Sequence, residues 1–353
     1  MLKKLVFSVI LIFILLPVAL YGYINKEVHK KIPLLEPELI TINKGTTISS
    51  FSRELVKKGW IETNFWLKAY IKLTPELSAL KQGSFLIPTD INYVDLITLL
   101  VKGKEHQFAI TFIEGSTLKD WLIALANDKN LTQKATELSV NNVAKYLGLE
   151  HQNAEGLFFP DTYFFTSGTS TLEILRRANK RMTKELESLW NERDPHLPYE
   201  NAYEALIMAS IIEKESALQS EHPVISSVFI NRLNKNMRLQ TDPTVIYGLG
   251  DRYKGDIKRI HLREKTAYNT YRIHGLPPTP IAMPGKLALK AAMHPDTTDY
   301  LYFVSDGYGK HVFSKTLKEH NKAVAEYLSA TKSKELEIQR RLSYDIPDFK
   351  SKF

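Results

Sequence analysis

The sequence predicts an α+β protein in three parts: an N-terminal transmembrane helix, a small α+β module and a larger mixed α/β domain. Three observations predict it. Leu5 to Ile24 carry no charge. A short apolar strand, a glycine turn and an amphipathic helix at 40–55 recur at 110–125. Beyond them, long helical patterns alternate with short apolar strands.

The first part, 1–24, reads as a cytoplasmic tip and signal anchor. As a helix, LVFSVILIFILLPVALYGYI spans about 30 Å at ~1.5 Å per residue, the thickness of the hydrocarbon layer. Tyr21 and Tyr23 fall at its far end, where amphipathic rings favour a membrane interface. A cleaved signal peptide is the competing reading. No small-x-small site follows the run, and the run is long for such a segment. Lys3 and Lys4 precede it, and Lys26, Lys30 and Lys31 follow, so the flanking charge nearly balances. A short N-terminus favours leaving that end in the cytoplasm. The expectation is a single-pass protein of the inner (cytoplasmic) membrane with its bulk on the periplasmic side.

Residues 25–38, with Pro33 and Pro37, read as a stalk. A module over 39–105 follows. Its elements are a strand Leu39–Ile42, a helix carrying Ile48, Phe51, Leu55 and Val56, and a stop at Gly59. Next come a helix from Asn64 to Lys72, a return strand 82–87, and a helix capped by Asp90 that ends near Gly103. The strand, Gly-Thr turn and helix resemble a LysM-like module, which implies binding to cell-wall glycan. An ordinary βα unit without a ligand has the same pattern. In the repeat, Gly45 matches Gly115, Thr47 matches Thr117, Phe51 matches Trp121 and Leu55 matches Leu125.

The larger domain covers 106–330. Residues 130–150 read as an exposed helical stretch, 171–190 as a basic helix and 201–217 as a helix. A further helix ends near Leu233, 237–241 is extended, and Asp242-Pro243 opens another with Asp242 as its cap. A helix at 288–293, strands at 301–304 and 311–313, and a helix at 316–342 complete it. Residues 331–353 read as a charged C-terminal tail that is expected to fray.

Composition narrows the function. The absence of cysteine excludes thiolate metal sites, disulfides and a cysteine nucleophile. The ten histidines show no tight ligand spacing, so no metal and no cofactor is expected. The net charge of +8 is spread thinly and has no run of five basic residues, so nucleic acid is not the expected partner.

Chemistry points to the helix at 201–217. Its apolar residues Ala205 to Ile212 point in every direction, which marks a buried helix, yet it ends Glu213-Lys-Glu215. Burial and the negative end of the helix dipole both raise a carboxyl pKa, as a general acid requires. The two glutamates project about 200° apart at ~100° per residue, so only one can face a given cleft. Spacing leaves the choice open, and a solvated helix end is the bland alternative. Gln240 and Thr241 suit sugar hydroxyls or backbone equally. Tyr268, Asn269 and Tyr271 suit carbohydrate or an ordinary core.

The segments EGLFFPDTYFF (155–165), ASIIEKES (209–216), VFINRLNKNMRLQTDPTVIYGLG (228–250), TAYNTYRIHGLPPTPIAMPG (266–285) and HPDTTDYLYFVSDGYGKHVFS (294–314) occur in that order. Together they resemble the endolytic murein transglycosylase, or YceG-like, family. The resemblance implies that Glu215 is the catalytic acid. It implies cleavage of MurNAc–GlcNAc bonds within nascent peptidoglycan strands, leaving 1,6-anhydro-muramyl ends and stopping elongation beside penicillin-binding synthases. Candidates for holding the sugars are Gln240, Thr241, Asp242, Tyr268, Asn269, Tyr271, Glu155 and Asp161. A hydrolytic muramidase using Asp242 or Glu155 as second carboxylate, and a non-catalytic wall-binding scaffold, are the alternatives.

Overall fold

The computed structural model describes residues 2–132 and 138–344 of the chain, as a mixed α+β protein in two compact units. The first comprises residues up to Ala109 with 129–132 and 164–169. Helix α1 (Leu2–Val28) is the one described helix long and apolar enough to cross a membrane. Ile24, Val28 and Ile32 are buried, so the start of the expected 25–38 stalk is part of a packed body. Strand β1 (Glu38–Ile42) is followed by helices α2 (Ile48–Lys57) and α3 (Phe65–Leu73). Strand β2 (Gly83–Ile87) returns antiparallel to β1, pairing Glu38 with Ile87 and Ile42 with Gly83. Alternation sends Ile40, Ile42, Phe85 and Ile87 inward against Phe51 and Leu55, while Leu39 and Leu86 face out.

Asp90 does not cap the next helix, α4 (Tyr93–Lys102). Ile91 is buried first, and Asn92 then accepts the Asp95 N–H at 2.9 Å, leaving Asp90 to pair with Lys31. Strand β3 (Phe108–Thr111) leads to α5 (Leu118–Asn127). The repeat is physical: Thr47 and Thr117 each form a reciprocal capping box, with Ser50 and Asp120. Gly45 and Gly115 both adopt the left-handed backbone that the preceding turn demands. Trp121 stacks on Phe112 with ring centres 3.8 Å apart.

The expected helix over 130–150 shrinks to α6 (Val143–Leu147), whose Val143 and Ala144 are buried rather than exposed. Part of that expectation, 133–137, lies outside the described residues. Strand β4 (Thr162–Phe165) pairs with β3. The second unit then gathers α7 (Thr171–Asn191), α8 (Ala202–Glu215) and α9 (His222–Asn234). It continues with α10 (Asp242–Leu249), α11 (Arg259–Arg263) and α12 (Lys286–Met293). A hairpin of β5 (Tyr302–Ser305) and β6 (His311–Ser314) precedes α13 (Leu317–Tyr344). Helix α13 matches the helix expected over 316–342 and runs through the first part of the expected tail to Tyr344; 345–353 lie outside the described residues.

Helix α8 is the spine of this unit. All eight residues from Ala205 to Ile212 are buried, and fully burying each larger side chain contributes about 1.5–3 kcal/mol. Small residues on both sides, Ala205 and Ala209 of α8 with Ala288, Ala291 and Ala292 of α12, let the two helices meet closely. Ser210 ties α8 to the segment that leads into α12 by accepting the Ile281 N–H at 3.0 Å. The spine ends at Glu215, whose side chain reaches a cleft.

Candidate active site

Glu215, Arg232, Gln240, Asp242, Tyr271 and Tyr302 line a cavity of about 370 Å³, closed by Phe229, Leu239, Phe303, Leu317 and His320. Glu215 is half-buried at the last turn of α8. Burial pushes its carboxyl up to about 7, and the nearby Asp242 charge adds to the shift. A hydrogen bond donated by the Thr241 hydroxyl to Oε1, and the neighbouring His311 and Arg232 side chains, pull the other way.

Glu213 meets something different. Its Oε2 accepts the Gly285 N–H at 2.9 Å, at the N-terminus of α12. Glu213 thus fixes α8 to α12 and is absent from the cavity lining, so the two glutamates are separated by what their opposite faces touch.

The segment 237–241 is not uniformly extended. Gln240 has φ +52°, the left-handed region that a non-glycine residue rarely occupies. Local bonds offset that strain. Gln240 N–H donates to the Thr270 carbonyl at 3.3 Å, and Arg232 donates to Gln240 Oε1 at 3.3 Å. The reversal aims Thr241 at Glu215. Thr241 is itself held from behind: its N–H donates to Thr270 Oγ1 at 3.0 Å and its carbonyl accepts the Thr244 hydroxyl at 2.7 Å.

Asp242 begins α10 without capping it by its side chain. Its Oδ1 instead accepts the Tyr271 hydroxyl at 2.6 Å, which keeps the carboxylate at the cavity. Arg232, a site residue that the sequence reading missed, is buried beneath. Its Nε donates to the Leu301 carbonyl at 2.6 Å, and Nη1 donates to the carbonyls of Arg238 and Leu239. It lies 5.0 Å from the Tyr302 ring centre. A lone arginine among Val228, Phe229, Ile230 and Leu233 was the available signal, since a cation there needs partners.

A sequence model of the YceG-like family matches residues 40–326, most of the chain. The chain belongs to the YceG-like family. This YceG-like chain is 33% identical, over 314 residues, to a protein of Bacillus subtilis named endolytic murein transglycosylase; the match covers 84% of this chain and 86% of that one. It is 26% identical to the endolytic murein transglycosylase of Streptococcus pneumoniae, over 82% of this chain and 58% of that longer protein. A crystal structure of a YceG-like protein from Listeria monocytogenes shares 31% identity, with a TM-score of 0.47, and covers 83% of this chain and 99% of its own.

Five of the eight candidate sugar-holding residues do not line the cavity of the YceG-like chain: Thr241, which reaches it only through its bond to Glu215, and Tyr268, Asn269, Glu155 and Asp161. The Tyr268 hydroxyl bonds Thr279 Oγ1 at 2.8 Å. Asn269 is buried and donates to the carbonyls of His261, Leu262 and Glu264, closing the end of α11. Its Oδ1 accepts the Tyr271 N–H at 3.0 Å, so it positions a lining residue from behind. Glu155 is sealed in, accepting the Leu118 N–H at 2.9 Å and the Tyr247 hydroxyl at 3.2 Å. Asp161 pairs with Arg181. Glu215, Gln240, Asp242 and Tyr271 line the cavity together, and Thr241 bonds to Glu215.

Proposed function

We propose that this YceG-like chain is a peptidoglycan lytic transglycosylase in which Glu215 is the single general acid and base. The carrying observation is a carboxyl pushed up to about 7 at the floor of a polar cavity, where it is protonated in a large fraction of molecules near neutrality. The Thr241 hydroxyl occupies one oxygen, which leaves the other to hold the proton towards a glycosidic oxygen.

The reaction needs no second protein carboxylate. Glu215 gives its proton to the oxygen linking C1 of N-acetylmuramic acid to C4 of N-acetylglucosamine, and the C1–O bond breaks. The muramyl C6 hydroxyl oxygen then bonds to C1, and its proton returns to Glu215. The products are a 1,6-anhydro-muramyl end and a free 4-hydroxyl, with no water consumed. Carrying nucleophile and electrophile in one sugar supplies the proximity that a second enzyme group otherwise provides. Gln240 and Tyr271 orient the sugars, and the Asp242 carboxylate stabilises developing oxocarbenium charge.

Cleavage within nascent strands, termination of their elongation and work beside penicillin-binding synthases complete the reading. So do α1 as a membrane anchor with its N-terminus cytoplasmic, and the β1–α2–α3–β2 stretch as a LysM-like glycan-binding module. The length and apolarity of α1 support the anchor, and the strand–helix–helix–strand order supports the LysM-like module.

Asp242 favours one rival. It shares the cavity with Glu215, and as a base for water it would make the protein a hydrolase. Mass spectrometry of the ends made from uncrosslinked strands tests the choice. Anhydro-muramyl ends from the wild type and none from Glu215→Gln are expected. Reducing ends, heavier by one water, would overturn lytic chemistry, and cleavage by Glu215→Gln would overturn the acid.

A further inference from the structure

Helix α3 is unusual for a surface helix. Phe65 and Leu73 are 61% and 55% exposed, Lys72 is exposed, and Trp66 and Tyr70 are half-buried. Its neighbour is α1, with which it shares one of the larger helix contacts of the first unit. Three observations fix their mutual direction. Glu27 and Lys30, at and just beyond the end of α1, share a small cavity with Glu62, Thr63 and Trp66. The Tyr23 and Trp66 rings meet edge to face at 4.9 Å. Tyr70 lies within electrostatic reach of Tyr21. Moving back along α1 from Glu27 to Tyr21 therefore means moving forward along α3 from Trp66 to Tyr70. The helices run antiparallel, and the C-terminal end of α3 points towards the apolar stretch of α1.

That direction gives the exposed side chains a common level. Tyr21 and Tyr23 close the twenty-residue uncharged run, the position of the interfacial belt in a spanning helix. Trp66 and Tyr70 sit beside them. Leu73 lies three residues beyond Tyr70, about 5 Å further along at ~1.5 Å per residue. Amphipathic helices bury their apolar face by ~5–10 Å in the boundary of headgroups and acyl chains. Lys68 is half-buried and Lys72 exposed on the same helix, and at a lipid surface lysine stems can lie along apolar area while their ammonium groups reach phosphates. The exposed Glu76, just past the helix, limits the depth to the headgroup layer.

We propose that the C-terminal end of α3, with Leu73 at its tip and Trp66 and Tyr70 at its side, inserts into the outer headgroup layer of the bilayer that α1 spans. The module is then held to the lipid surface at two points instead of swinging from a single tether. This rests on the anchor reading of α1, and the test separates the two.

The chain has no cysteine, so single cysteines carry a label without background. The full chain is reconstituted in phosphatidylethanolamine and phosphatidylglycerol vesicles, with an environment-sensitive fluorophore at Phe13→Cys, Leu73→Cys or Lys57→Cys. Lipids bearing a nitroxide near the headgroup serve as quencher. The expected result is quenching at position 73 about threefold stronger than at position 57, as for a side chain at the headgroup boundary, with position 13 in a lipid environment. A lipid environment at 13 with water-like, unquenched emission at 73 would overturn the insertion of α3. An aqueous environment at 13 would overturn the anchor instead. Equal quenching at 73 and 57 would also overturn the proposal, because contact would not be specific to α3.

Discussion

Glu155 and Glu215 are both carried to about 7 by burial, and they sit in opposite surroundings. Glu155 is 2% exposed, and its oxygens are taken by the Leu118 N–H at the start of α5 and by the Tyr247 hydroxyl. It closes a helix end inside the protein. Glu215 accepts from Thr241, its one donor among the described residues, and opens onto a cavity lined by Arg232, Gln240, Asp242 and Tyr271. A raised pKa therefore marks a buried carboxyl, and access to a substrate-sized space marks a usable one. Four substitutions test that contrast, and they are taken here from the largest expected effect.

Glu215→Gln keeps the shape and removes the transferable proton, so cleavage should fall by ~10²–10⁴-fold with strand binding retained. Turnover on uncrosslinked strands checks this. Glu155→Ala should do the reverse. An unpaired Leu118 N–H and a lost side chain cost about 2–4 kcal/mol, read as a lower denaturation midpoint, while the folded fraction keeps its kcat. A large loss of kcat in folded Glu155→Ala would erase the distinction.

Asp242→Asn tests the rival chemistry and the electrostatics together. Asparagine still accepts the Tyr271 hydroxyl but cannot stabilise oxocarbenium charge, so a lytic enzyme should keep anhydro ends while its rate falls by roughly 10²-fold. Removing the negative charge also lets the Glu215 pKa fall, which moves the alkaline limb of the rate to lower pH. Thr241→Val should have the smallest effect. It removes a bond that favours the ionised carboxylate, so the alkaline limb should move to higher pH.

The same contrast explains what was legible in the sequence. A helix apolar on every side announced α8 as a buried helix, and the match of Thr47 with Thr117 was legible because the caps they form are local. Spacing could show that Glu213 and Glu215 diverge. It could not show which meets Gly285, 72 residues away, and which meets the cavity. Asp242 looked like a cap because Asp-Pro is one locally; Tyr271, 29 residues on, takes its carboxylate instead. Arg232 was missed since its strongest partner, the Leu301 carbonyl, is 69 residues distant. Glu155 had the residue type of a catalytic group, and only its sealed surroundings remove it from the cavity.

The pH dependence of kcat/KM for wild type and Glu155→Gln tests the central claim most directly. A general acid must start protonated, and a carboxyl raised to about 7 loses that proton as pH rises through this value. Both proteins should therefore show kcat/KM falling about tenfold per pH unit above neutrality. A profile flat through pH 9 in wild type, or an alkaline limb that disappears in Glu155→Gln, would contradict Glu215 as the acid.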